Sequence, residues 1–128
     1  MTLGVHHLAV VVGDLARAEA FYAGTLGLAV AKRWQDETGA PRSVWCALAG
    51  GAFLALERAG VTLPTRADTS PGWHCVALGI DAHERETWRA RLIAAGHPIE
   101  RESDYTLYIR DPDGNLVGLS HYPVARGS

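Results

Sequence analysis

Residues 5–28 read VHHLAVVVGDLARAEAFYAGTLGL, and the chain follows the same plan a second time further on. An offset of 67 residues carries His7 onto His74, Asp14 onto Asp81, Glu19 onto Glu86 and Ala23 onto Ala90, and sets Phe21 against Trp88. Self-similarity at a fixed spacing marks a duplicated supersecondary unit. The valine-rich run 5–12 suits a buried strand. Gly13 and Asp14 stop it, and the Asp14 carboxylate is placed to accept from the orphan amides of a helix. That helix is expected to run to about Leu26, with Leu15, Ala18, Phe21, Tyr22 and Thr25 on one stripe. Gly27 then supplies its cap.

Outward from this stretch, residues 28–34, 43–49 and 53–57 read as strands, the last two joined by a tight turn at Gly50-Gly51. Residues 59–72, with Gly60, Pro64 and Pro71, have no period and read as a linker. Residues 73–80 restart the pattern, and Asp81 with Glu84 has the spacing of a capping box. The second helix carries Trp88 on its buried stripe and stops at Gly96. Residues 98–102, 106–110 and 116–120 follow as strands, the last two joined by the turn chemistry of Asp111-Pro112-Asp113-Gly114. The fold class is therefore α+β: one structural domain made of two βαβββ modules, 1–58 and 73–128. Each module leaves a sheet face bare. The modules are expected to face one another, within the chain or across a homodimer, around a cleft of the kind ligands favour.

A chain of 128 residues with 48% apolar and 20% charged residues is an ordinary globular domain. Its net charge of −2 argues against nucleic acid as a partner, and its apolar runs are too short for a membrane span. With Met1 leading directly into the first strand, the cytoplasm is the expected location. Cys46 and Cys75 lie in separate apolar runs without C-x-x-C spacing, and both are expected to be buried, reduced thiols.

The text H-x6-D-L-x5-F-Y at His7, Asp14, Leu15, Phe21 and Tyr22, the Leu26–Leu28 triplet, the strand-opening His74 and the Asp111–Asn115 turn resemble the vicinal oxygen chelate superfamily. That superfamily includes glyoxalase I, extradiol dioxygenases, fosfomycin-resistance thiol transferases and bleomycin-resistance proteins. The resemblance implies paired βαβββ modules and a small-molecule ligand, with a homodimer as the expected assembly. In metal-using members it implies a divalent ion (Zn, Mn, Fe or Ni) held from four strand positions. Here those positions are His7, His74, Ala55 and Gly118. Relatives that bind metal usually carry at least one glutamate at the last two, where this chain has none, so the expected cofactor is either a divalent ion or none.

A hard divalent ion wants carboxylate charge and three or four protein ligands. Glu57, two residues past Ala55 and so on the same strand face, is the candidate to supply it. His6 is expected to point away from His7. Ala55 and Gly118 have a second meaning: they open volume where carboxylates would sit, so that an organic ligand reaches the imidazoles. Trp45 is then a candidate pocket wall and Tyr108 a candidate hydrogen-bonding or packing group. No catalytic residue is assigned. Asp14 and Asp81 are read as helix caps. Two functions remain: a glyoxalase/dioxygenase-like enzyme with a metal Lewis acid, and a metal-free protein of the bleomycin-resistance type that binds or sequesters its ligand.

Overall fold

The strands β1 (His7–Val12), β2 (Val30–Gln35), β3 (Pro41–Ala47) and β4 (Phe53–Arg58) form one sheet in the order β1-β4-β3-β2, and a second sheet contains the strands of the other half. The computed structural model describes residues 1–62 and 64–127. The chain divides into two compact units, Met1–Pro64 and Thr65–Ser128.

In the first unit β1 and β4 are parallel, while β4 with β3 and β3 with β2 are antiparallel. Helix α1 (Leu15–Glu19) opens as expected, the Asp14 carboxylate accepting from the Arg17 amide at 2.9 Å. The expected single α-helix to Leu26 is not what forms. Residues Ala20–Thr25 widen into a π-helical turn, with the Leu26 amide reaching the Phe21 carbonyl five residues back at 2.9 Å. The wider turn buries two successive aromatics, Phe21 and Tyr22, which pack edge to face at 4.8 Å. Helix α1 packs on β3 and β4, over Val44, Cys46, Leu54 and Leu56. Each such buried aliphatic contributes roughly 1.5–3 kcal/mol.

The second unit repeats the plan with β5 (Val76–Gly79), β6 (Arg101–Glu102), β7 (Thr106–Arg110) and β8 (Leu116–Ser120), in the order β5-β8-β7-β6. Again the opening and closing strands are parallel and the other pairs antiparallel. The Asp81–Glu84 capping box is formed, ahead of α2 (Arg85–Ala94). Trp88, expected in the core, is only half-buried and lies 5.3 Å from the Arg91 guanidinium. The buried residue of α2's apolar stripe is Leu92, and Leu107, Ile109, Val117 and Leu119 complete the core.

The Asp111–Gly114 turn is held by the Asp111 carboxylate, which accepts from the amides of Asp113 (2.9 Å) and Asn115 (2.8 Å) and from the Asn115 side chain (2.9 Å). Gly114 sits at φ +85°, where any side chain is strained, and a Cβ there would come within 2.5 Å of the Thr65 methyl. Among the described residues no helix is long and apolar enough to cross a membrane.

Candidate functional site

Alternation decides what each sheet presents. On β1 the residues Leu8, Val10 and Val12 turn toward the helix, leaving His7, Ala9 and Val11 exposed. The same face carries Phe53, Ala55 and Glu57 on β4 and Ser43 and Trp45 on β3. The His7 imidazole lies parallel to the Phe53 ring, 4.7 Å away with 2° between planes, and Phe53 stacks on Trp45 at 4.3 Å. Trp34 meets Trp45 edge-on at 5.3 Å. A row of four rings thus crosses all four strands, each contact worth about 0.5–1.5 kcal/mol beyond burial. Trp45, the candidate pocket wall, lies between Phe53 and Trp34 in this row. Phe53 was legible too, since it lies two residues before Ala55 on the same strand.

His6 does not turn away. Its Nδ1 lies 2.9 Å from Nδ1 of His7, and its ring packs edge-on to Phe53 at 5.8 Å. One of the two Nδ1 atoms must carry the hydrogen and the other accept it. This arrangement leaves Nε2 of His7 as the nitrogen to meet a ligand.

Glu57 stands level with Val11, and His7 is level with Phe53. Four residues of strand, roughly 13 Å, separate the two side chains along the sheet. The Glu57 carboxylate instead accepts from the Ser43 hydroxyl at 2.9 Å. Donors to one ion must converge to about 2 Å from it, so Glu57 cannot complete a site with His7. Ala55 itself is buried.

In the second unit the closing-strand position is Gly118, level with Ala77 on β5 and Tyr108 on β7. Its spare volume is already filled. A Cβ at Gly118 would lie 3.1 Å from the Thr106 methyl, 3.4 Å from Tyr108 Cε1 and 3.6 Å from the Ala77 methyl. Tyr108 is roofed in turn by the Arg101 guanidinium at 4.5 Å.

His74 lies just before β5 and is exposed. It borders a depression of about 350 Å³ shared with Asp68, Glu100, Arg101, Arg110 and Leu116. Arg110 is fully engaged there, donating to both Asp68 oxygens (2.9 and 2.7 Å) and to Glu100 (2.9 Å). Its guanidinium holds the Asp68 carboxyl below the usual range, and nearby His74 adds a smaller pull in the same direction.

Strand pairing also shifts the equivalence of the two halves. Ala9 is level with Ala55, and Ala77 with Gly118. Two residues before Ala9 stands His7, but two before Ala77 stands Cys75, with His74 one residue further back. The residue in the place of His7 is thus a thiol. Cys75 is exposed rather than buried as expected, and both cysteines are free.

The metal reading can now be tested on chemistry. Small residues occupy both positions where the family resemblance would place carboxylates, one of them crowded by Tyr108 and Thr106, and Glu57 lies far along its strand from His7. Among the described residues no three His, Cys, Asp or Glu side chains come together. Neither unit by itself supplies the three or four converging donors that a resident divalent ion needs.

Residues 4–119 match the family model described as the Glyoxalase/Bleomycin resistance protein/Dioxygenase superfamily. Among solved structures, SMU.1112c is 24% identical with a TM-score of 0.79, covering 94% of this chain and 100% of its own. A glyoxalase/dioxygenase from Nostoc punctiforme is 20% identical, TM-score 0.77, covering 94% of this chain and 92% of its own. A variant of the genomically encoded fosfomycin resistance protein FosX from Listeria monocytogenes, complexed with Mn(II) and 1S,2S-dihydroxypropylphosphonic acid, is 20% identical, TM-score 0.73, covering 94% and 93%. At such identities the likeness speaks for the fold alone. No curated protein sequence matches the chain.

Proposed function

The chain belongs to the Glyoxalase/Bleomycin resistance protein/Dioxygenase superfamily, and on that premise we propose that it binds a small organic molecule on its open sheet faces without a resident metal. The observation that carries this reading is the row His7–Phe53–Trp45–Trp34. Rings fixed against one another lose little freedom when a ligand docks, and they offer it a large apolar contact. His7 contributes a polar atom beside that surface, Nε2, which donates or accepts according to its tautomer. Tyr108 offers a phenol from the other sheet.

A second reading, a metal-dependent enzyme with His7 and His74 as ligands, draws support from the Mn(II) complex of FosX. Metal content decides between the two. After purification without chelators, the binding reading expects well under one equivalent of Zn, Mn, Fe or Ni per chain. It also expects quenching of tryptophan fluorescence by planar organic ligands that is lost in Trp45→Ala. About one equivalent of metal, lost in His7→Ala, would overturn it in favour of the enzyme. The family resemblance also suggests a homodimer, which sedimentation of the purified chain measures directly.

A further inference from the structure

The two sheets carry the same rung on their open faces. In the first, Ala9 is level with Ala55, Ala55 with Trp45, and Trp45 with Lys32. In the second, Ala77 is level with Gly118, Gly118 with Tyr108, and Tyr108 with Arg101. Each rung therefore reads small, small, aromatic, cation from the opening strand to the far edge. The small residues let the aromatic lean over the sheet, as Tyr108 does toward Gly118. Each cation is then laid on a ring: the Lys32 ammonium 3.9 Å from the centre of Trp34, which packs against Trp45, and the Arg101 guanidinium 4.5 Å from that of Tyr108.

Their neighbours are treated differently. Arg33, beside Lys32, is paired with Glu19, while Arg89 is paired with Glu102 and Arg110 with Asp68 and Glu100. Among the described residues no carboxylate lies within 4.0 Å of Lys32 or Arg101. A cation held over a ring keeps its full charge while losing freedom of movement, so it is positioned for an incoming anion at little further entropy cost. Chance placement of two unpaired cations at equivalent points of two sheets of different sequence is a poorer account than a shared demand.

We infer that the ligand is a planar organic anion, its ring against Trp45 or Tyr108 and its carboxylate or similar group at Lys32 or Arg101. The inference rests on the small-molecule reading above and narrows it to a chemical class. Arg101 suits a flat, two-oxygen group, while Lys32 acts as a point charge.

Isothermal titration of the whole chain with 2-naphthoate and with its neutral counterpart 2-naphthamide tests the inference. At low salt the carboxylate should bind about tenfold more tightly than the amide, and this preference should shrink at about 0.5 M NaCl. Lys32→Met and Arg101→Met keep the aliphatic stems, and together they should abolish the preference. Lys32→Arg and Arg101→Lys keep the charge and should retain it, so the inference stands or falls even if the methionine variants fail to fold. Equal binding of amide and carboxylate, unchanged by the substitutions, would overturn the anion class and leave small-molecule binding intact. Failure of both ring compounds to bind the folded chain would overturn both readings.

Discussion

Substitution of Gly118 by alanine probes why the closing strand of the second unit carries no side chain. Gly118 is not among the glycines at positive φ, so alanine meets no backbone strain. Restricting the unfolded chain would by itself stabilise by about 0.4–1 kcal/mol. Against this, the new methyl arrives 3.1 Å from Thr106 Cγ2 and 3.4 Å from Tyr108 Cε1. Overpacking of this kind costs about 1–3 kcal/mol. The net expectation is a loss of about 0.5–2 kcal/mol, or roughly 4 °C in Tm per kcal/mol for a chain of this size.

Thr106→Ser removes the crowding methyl and keeps the hydroxyl that donates to the Ser120 side chain at 2.9 Å. Alone it should cost about 1 kcal/mol for a lost buried methyl. Combined with Gly118→Ala it should relieve the clash, giving a favourable coupling of about 1 kcal/mol. Urea titration followed by tryptophan fluorescence and by far-ultraviolet dichroism measures all four corners of the cycle. Additive effects, within about 0.3–0.5 kcal/mol, would show that the methyl is not the obstacle. The packing argument against a carboxylate at this position would then fall, because a glutamate begins with the same Cβ.

Further outcomes follow from buried and paired groups. Arg85→Met should destabilise by roughly 1–3 kcal/mol in thermal melts, because the Arg85 side chain donates to the Ser103 carbonyl at 2.8 Å and lies 2.9 Å from His121 Nε2, both left unpartnered. Glu102, held by Arg89 and Arg126, has its carboxyl lowered from 4.5 to about 2. A group depressed in the folded state contributes stability that is full above pH 4.5 and is lost as pH falls toward 2. Glu102→Gln should therefore flatten the acid limb of a stability-against-pH series between those values, and an unchanged limb would show the pairing to be inert. A thiol reagent at pH near 8 should label Cys75 rapidly in the native chain and Cys46 only on unfolding. Cys75 is exposed, whereas Cys46 is buried and its thiol is pushed up by that burial; fast labelling of Cys46 would contradict the packing.

Much of this was legible in the chain because local chemistry and tertiary demand agree. The caps at Asp14 and Asp81, the strands 106–110 and 116–120 and the Asp111–Gly114 turn form where their residues indicate. Lys32 was not legible. Val30 is level with Cys46, which turns toward the core, so simple alternation would turn Lys32 inward as well. A bulge between Val30 and Lys32 resets the phase and sets Lys32 level with Trp45 on the open face. The π-helical turn was equally hidden, since the apolar period of residues 15–26 suits an α-helix throughout. His6 escaped for a third reason: it precedes the first paired residue, where alternation no longer governs.

The repeat itself shows how a true signal can point one residue astray. Helix caps set the offset at 67, Asp14 to Asp81, and that offset brings His7 onto His74. Strand pairing sets it at 68, Ala9 to Ala77, because four residues rather than five separate the paired alanine from the capping aspartate in the second copy. A helix tolerates such a change by rotating slightly, but a strand has a period of two, and one residue exchanges its faces. Burial follows the strand count: Leu8 and Val10 correspond to half-buried Val76 and Leu78, and Ala9 and Val11 to exposed Ala77 and Gly79. The shorter connection thus sets a thiol where the first copy has an imidazole, while the neighbouring imidazole falls out of step. What stays in register across both sheets is the aromatic and the cation beside it.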